Sequence, residues 1–328
     1  MIIIAEKING SIPSMGKAIA AKDEAHIKEM AVKQSAACPT GGRMFIDVCA
    51  SVAPEAEYET LKWMLNLVQD ATDLPISIDS PNAEILAVML KEGVVKKPGL
   101  VNSVSMEGNK VDTIFPLIAK TDWEVVALLC DDTGIPKTAQ KRKEVFDALM
   151  VKAEQYGIAP SRLHIDPLVE MLATSYDTDD EDANGIKVVV DVMQYIRSKY
   201  PEIHITGAIS NISFNLPARK LVNVAFAIQS IRAGLDSAVF DPLDKALMGA
   251  IGAAEHILHG APADELAESY LSIVKDALAV DSDDDFDEDN YDKIQLGILY
   301  ATRACVGFDD FCMEYIGAAR SGTIAPKL

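Results

Sequence analysis

Acids and amides recur in this chain directly after short apolar runs. The runs cover residues 1–5, 44–48, 75–78, 100–101, 124–129, 163–165, 203–209 and 238–240. At or just past their ends stand Glu6 with Asn9, Asp47, Asp79, Asn102, Asp131, Asp166, Ser210 with Asn211, and Asp241. A carboxylate accepts two N–H bonds from one planar edge, and an asparagine both donates and accepts. No lysine or histidine stands at a run's end where it would serve as a Schiff base or general base. His164 lies inside its run, one residue out of phase with the neighbours of Asp166, and reads as a packed side chain. His26, His204, His256 and His259 fall on helices or at a strand start. No carboxylate–histidine triad stands out, and no metal is expected. Such a set suits a flat heterocycle with N–H donors and ring-nitrogen acceptors, a pterin or a purine. Any one of these residues has an ordinary alternative, because Asp and Asn also cap the helix that follows a strand.

The elements that must position these residues are legible from periodicity. Each run has strand length and is followed by a segment with apolar residues at helical spacing. Asp23 is placed to cap a helix over about 24–37. Pro54 opens the next, and Asn82 caps the one after the third strand. Further helices are expected over about 110–119, up to about 156, 186–199, up to about 233, and 243–258. Eight strand–helix units in about 260 residues, with strands too apolar for a solvated antiparallel sheet, fit an α/β fold, a (β/α)8 TIM barrel. A doubly wound sheet is the alternative, but the glycine-rich G-x-G-x-x-G it would want after the first strand is missing. In a barrel the carboxyl ends of all strands open on one face, so the polar residues share one mouth. Residues 203–219 are the centre of that arrangement, with Asn211 in the loop.

Past Gly260 the composition changes. The chain carries a net charge of −20, and residues 261–328 hold about half of it. Helices are expected over 263–280 and 294–317, joined by the acidic stretch 281–290. The reading is a barrel over 1–260 and an acidic C-terminal helical extension over 261–328. Asp281, Asp283 and Asp285 have calcium-loop spacing, but Phe286 occupies the glycine position and Asp292 the glutamate position, so a solvated linker is the better account. Residues 175–184 form a second acidic stretch, longer than most barrel loops.

The acidic balance argues against nucleic acid or an anionic membrane as partner. No apolar run reaches the roughly 20 residues of a membrane span. The first residues read as a strand rather than a signal peptide. Five scattered cysteines suit free thiols in a reducing cytoplasm.

Six segments, in order and spacing, resemble the pterin-binding methyltransferases: EKING at Glu6, SIDS ending at Ser80, VNS ending at Ser103, DDTGIPKT from Asp131, HIDPL from His164 and ISNISF ending at Phe214. That family moves a methyl group between tetrahydrofolate and the cobalt of a corrinoid protein. It includes the second methyltransferases of bacterial demethylation systems. The resemblance covers about 1–260 and implies the same barrel. It implies that Asp79, Asn102 and Asp166 hold the pterin's pyrimidine edge and that Asn211 sits beside N5. Glu6, Asn9, Asp47, Asp131 and Ser210 complete the expected site. It also implies tetrahydrofolate as substrate, cobalamin carried by a partner corrinoid protein, no intrinsic metal, and a cytoplasmic enzyme, expected here to be a homodimer. Cys49 departs from the asparagine of one branch, Ala208 from its glycine, and the extension from the short members. These departures lean toward a demethylation-system enzyme working from methyl-corrinoid to tetrahydrofolate. Two rivals remain. A dihydropteroate synthase would want a cation beside Ser210, Asn211 and Ile212. A non-catalytic pterin-binding module would bind without turnover.

Overall fold

The computed structural model describes residues 1–174, 185–282 and 286–327. Eight strands form one parallel sheet: β1 (Ile2–Asn9), β2 (Arg43–Cys49), β3 (Ile76–Asp79), β4 (Leu100–Met106), β5 (Glu124–Asp131), β6 (Leu163–Asp166), β7 (His204–Ile205) and β8 (Ser237–Phe240). Neighbours follow chain order, and β8 pairs with β1. The seam between β7 and β8 closes through a bridge between Ala208 and Val239 and a bond from Val239 N to Gly207 O of 3.0 Å. The expected barrel is therefore the observed one. The acidic stretch 175–184 and the calcium-loop positions Asp283 and Asp285 lie outside the described residues.

The outer helices are α1 (Pro13–Ala20), α2 (Glu24–Ala36), α3 (Pro54–Ala71), α4 (Ala83–Glu92), α5 (Lys110–Ile118), α6 (Ala139–Tyr156), α7 (Gly185–Lys199), α8 (Arg219–Ala233) and α9 (Lys245–His259). Their starts follow local chemistry. Asp23 accepts from His26 N and Asn82 from Glu84 N, each satisfying an amide that the first helical turn leaves without a partner. Pro54 opens α3, where its missing N–H costs nothing. Helix α1 was not expected, because its apolar residues Met15, Ala18 and Ile19 fill barely two turns.

Two expectations need correction. The seventh strand is 2 residues long, not seven. Beyond it Thr206 N still bonds Ile165 O and Ala208 bridges Val239, and the backbone then coils into a 3-10 turn, Ile209–Ser213. The helix expected over 294–317 is two helices, α11 (Lys293–Val306) and α12 (Met313–Ser321). Gly307, at φ 91°, ends α11, and Phe311 and Cys312 follow at φ 55° and 59°. That left-handed backbone cannot continue a helix.

The extension, led by α10 (Glu265–Ala279), packs on the last barrel helices. A Cβ on Gly249 would stand 2.5 Å from the Tyr270 ring, and one on Gly297 2.5 Å from Leu221 Cδ1. Both contacts need the missing side chain, so α10 lies tight on α9 and α11 on α8. No helix among the described residues is long and apolar enough to cross a membrane.

Candidate active site

Alternation along each strand decides what lines the barrel. Ile2, Ile4, Phe45, Leu100 and Val126 form an apolar cluster separate from the outer core, with Leu128 and Val239 against it. These side chains fill the barrel's interior. One alternation further toward the carboxyl ends come Glu6, Asp47, Asn102 and Asp241. Ser77 and Asp79 follow the same parity on β3. The interior thus passes from apolar to acidic over a single layer.

Register brings the polar set level. Asn9 lies opposite Cys49, Cys49 opposite Asp79, and Asp79 opposite Asn102. Asp47, 2% exposed, accepts from Ser77 Oγ at 2.5 Å and from Asn102 Nδ2 at 3.2 Å. Burying a carboxylate is costly, and these donors offset part of that cost. Burial, against the donated bonds, still pushes Asp47 up to about 6. Burial and the adjacent Asp47 charge raise Asp79 well above the carboxylate range, and a hydrogen bond with Asp47 raises it further. Asp79 is therefore the protonated partner of the pair. Burial and the charges of Asp241 and Asp47 lift Glu6 to about 7, against the opposing pull of Lys7 and Arg219.

Asp166 closes the far side, pushed up to about 6 by burial. It accepts from Leu168 N at 2.7 Å in a turn where Leu168 has φ 69°. Arg142, wholly buried, holds that turn. Its guanidinium donates to Pro136 O and to the carbonyls of Pro167 and Leu168, and pairs with Glu170.

Asn211 sits half-buried in the Ile209–Ser213 turn after β7. Arg219, at the start of α8, reaches back to it. It donates to Ser213 Oγ at 3.0 Å and Ser210 O at 2.8 Å, and its guanidinium lies over the Phe214 ring. The sequence places this cation a helix start away from Asn211, yet the fold returns it to the loop. There its Nε and Nη2 bond protein atoms, while the side chain stays exposed.

The other expected residues serve their own loops. Asn9 accepts from Ser11 N and Ser51 Oγ, tying the end of β1 to the turn after β2. Ser210 offers its carbonyl to Arg219. Asp131 accepts from Thr133 N and Thr133 Oγ1, and pairs with Lys141. These bonds make Asp131 a turn residue at the rim. Cys49 lies 3.2 Å from Ser51 Oγ, and burial pushes its thiol up, so it stays neutral. Sequence reasoning passed over Ser77, Lys7 and Arg142, and set Arg219 aside as lying a helix start too late. A serine two residues before Asp79, on the same strand face, was the one local signal available.

At the opposite end of the barrel the structure corrects two expectations. His164 is in phase with Asp166, two residues away, and points inward, with Phe45 edge-on at 6.0 Å. With Glu124 and His204 it forms a cluster whose possible ligand atoms lie within 4.8 Å of one another. Strand starts on β5, β6 and β7 supply it, which linear spacing does not reveal. Its bonds are internal: His164 to Glu124 Oε2 at 2.8 Å and Ser237 Oγ at 3.0 Å, His204 to Asp236 at 2.8 Å, and Arg43 to Glu124. This is a polar plug, at the face of such barrels that serves stability.

The model of the family described as pterin binding enzyme matches residues 21–240. The chain belongs to that family. Over 272 residues it is 46% identical to the methylcorrinoid:tetrahydrofolate methyltransferase of Eubacterium limosum, a match spanning 82% of this chain and 94% of that protein. It is 27% identical over 248 residues to the methionine synthase of Mycobacterium tuberculosis (strain ATCC 25618 / H37Rv), covering 73% of this chain but 20% of that one. Among solved structures it resembles the dihydropteroate synthase of Coxiella burnetii in complex with pteroic acid, with a TM-score of 0.56 at 15% identity over 79% of this chain and 94% of that one. At that identity the likeness speaks for the fold alone.

Proposed function

We propose that this chain is a methyltransferase that carries a methyl group from a methylated corrinoid protein to N5 of tetrahydrofolate. One observation carries the reading: 46% identity across 94% of a methylcorrinoid:tetrahydrofolate methyltransferase. The site chemistry agrees with it. Asp79, Asn102 and Asp166, on three strands of one barrel, offer acceptors to the N–H-rich edge of a pterin. Glu6, Asn9, Asp47 and Ser210 surround them, and Asp131 stands at the rim.

Asn211 is the catalytic residue in this reading. The N5 lone pair attacks the methyl carbon, and the carbon–cobalt bond breaks with its electron pair left on the metal. N5 becomes a cation that still carries its hydrogen. The Asn211 amide oxygen accepts a bond from that N–H, and the bond strengthens as the charge grows. The proton then leaves to a carboxylate whose affinity lies near neutrality, and Glu6, at about 7, is matched to the task. In the reverse direction the same amide steadies N5 as its bond to carbon breaks. Cobalt is the partner's cargo throughout, and no step requires a metal held by this chain. The reading includes a cytoplasmic homodimer in an anaerobic bacterium, for which sedimentation of the purified protein measures the assembly.

The rival dihydropteroate synthase activity needs a cation available to a pyrophosphate. Arg219, the guanidinium at the Asn211 loop, is already bonded to Ser210 and Ser213. The direct test supplies methylcobalamin and tetrahydrofolate to purified protein under anaerobic, reducing conditions. Methyltetrahydrofolate is the expected product, and its absence from both free methylcobalamin and a methylated corrinoid protein overturns the reading.

A further inference from the structure

The loop that bears Asn211 is anchored in the core by Ile209 and Ile212, but its exit into α8 runs through left-handed backbone. β7 contributes 2 residues, and beyond it Thr206, Gly207 and Ala208 keep single contacts to the neighbouring strands before the chain coils. Asn215 and Ala218 both take left-handed backbone, at φ 65° and 45°, a conformation asparagine tolerates but one costly for alanine. Ala218, at the N-cap of α8, gives that helix no side-chain cap. A segment like this stays in one geometry only when its surroundings over-determine it.

The extension supplies that constraint. Tyr315, in the first turn of α12, is 0% exposed. Its hydroxyl lies 3.1 Å from both Pro217 O and Ala218 O, nearly a hundred positions earlier in the chain. The hydroxyl donates to these carbonyls at the point where the loop turns into α8. Tyr315 is itself fixed by the buried carboxylate of Asp309, which accepts from Glu314 N and Tyr315 N at 2.8 Å each. The left-handed pair Phe311–Cys312 turns the chain so that α12 starts over the loop. On the other side of the same exit, Gly297 of α11 packs on Leu221 of α8. The extension thus holds the loop's carboxyl end by two contacts.

The brace comes from residues beyond the part of the chain that the family model matches. The family match ends at residue 240, and the match to the Eubacterium limosum enzyme leaves 18% of this chain outside it. We propose that the C-terminal extension sets the position of the catalytic loop, with Tyr315 as its positioning residue, so that Asn211 is held over the methyl-accepting nitrogen. The proposal rests on the reading that Asn211 faces N5.

The experiment pairs Tyr315→Phe with Asn211→Ala. The phenylalanine keeps the ring and its packing, so the fold survives. Single-turnover methyl transfer should slow by about tenfold, the scale of effect that a small misplacement of a reacting group produces. The dissociation constant for the pterin should stay within about twofold, because the pterin-edge residues lie on other strands. In the Asn211→Ala background the same change should cost nothing further, since the brace acts through that amide. Equal slowing in both backgrounds, or an unchanged rate, overturns the proposal. Amide exchange offers an arm independent of turnover: Asn211, Phe214 and Leu216 should exchange faster in Tyr315→Phe than in the parent. Unchanged exchange there refutes the brace even if no methyl transfer is found. Faster exchange with no transfer by the parent refutes the functional reading alone.

Discussion

Asn102 donates to Asp47 across 3.2 Å, although β3 stands between their strands. The bond crosses the inside of the barrel. It ties an amide expected to read a pterin to a carboxylate whose own affinity for protons is shifted to about 6. Recognition and ionisation in this site are therefore one problem.

The first consequence concerns Asp79. Its burial beside Asp47 is a cost that the empty protein bears. Asp79→Asn removes an acid held above its ordinary range, so the unliganded protein should melt at a higher temperature. Pterin affinity should fall by about 2 kcal/mol, because the ring edge loses an acceptor that ionises when the pterin donates to it. Calorimetry of the same variant with and without tetrahydrofolate reads both. Unchanged affinity removes Asp79 from the site.

A second follows from the raised carboxylates. Glu6 at about 7, and Asp47 and Asp166 at about 6, hold protons that the unfolded chain, at 4.5 and 3.8, has released. The folded state binds more protons between about pH 4 and 7, so stability falls as pH rises through that window. The contribution is complete below about pH 4 and lost above about 7. A pterin that donates N–H to Asp79, Asp166 and their neighbours favours the ionised forms. Binding should therefore release protons near pH 6 and tighten from pH 5 to 7. Titration calorimetry in buffers of different ionisation enthalpy measures the release. Proton uptake at pH 6 contradicts it.

A third separates binding from chemistry at Asn211. Asn211→Ala should lower the transfer rate by about 10²-fold or more and leave pterin binding within a few-fold, since the bond strengthens as charge develops. Equal losses in rate and affinity make Asn211 a binding group instead.

A fourth concerns Arg142, which joins the loops after β5 and β6. Arg142→Met leaves the Pro136, Pro167 and Leu168 carbonyls without their buried donor, and should destabilise the protein by about 2–4 kcal/mol. Because the same turn fixes Asp166, pterin affinity should fall as well. Denaturant unfolding and binding titration check the two parts separately.

Much of this could be read from residue order alone. The strand ends and the caps at Asp23 and Asn82 depend on neighbours within a few positions, and such signals are local. What escaped depends on distance or on parity. Arg219 reaches its loop only because the 3-10 turn folds back on α8. His164 was misjudged by one step of alternation, which on a strand moves a side chain from one face to the other. Asp131 follows its strand as the other acids do, but Thr133, in the turn back to Gly134, claims its carboxylate. The break after Val306 needed Gly307 to be weighed above a long apolar periodicity that runs straight past it.

The shortness of β7 has a consequence for how enzymes of this shape diversify. Seven walls of the barrel are knit by register and resist rewriting. The wall at β7 pairs over 2 residues and then gives way to a turn that the extension contacts at Pro217 and Ala218. A change of chemistry can therefore be installed on that one wall while the residues opposite stay as they are. Exchanging this loop together with its outside brace, rather than alone, is the transplant that should carry an activity from one such barrel to another.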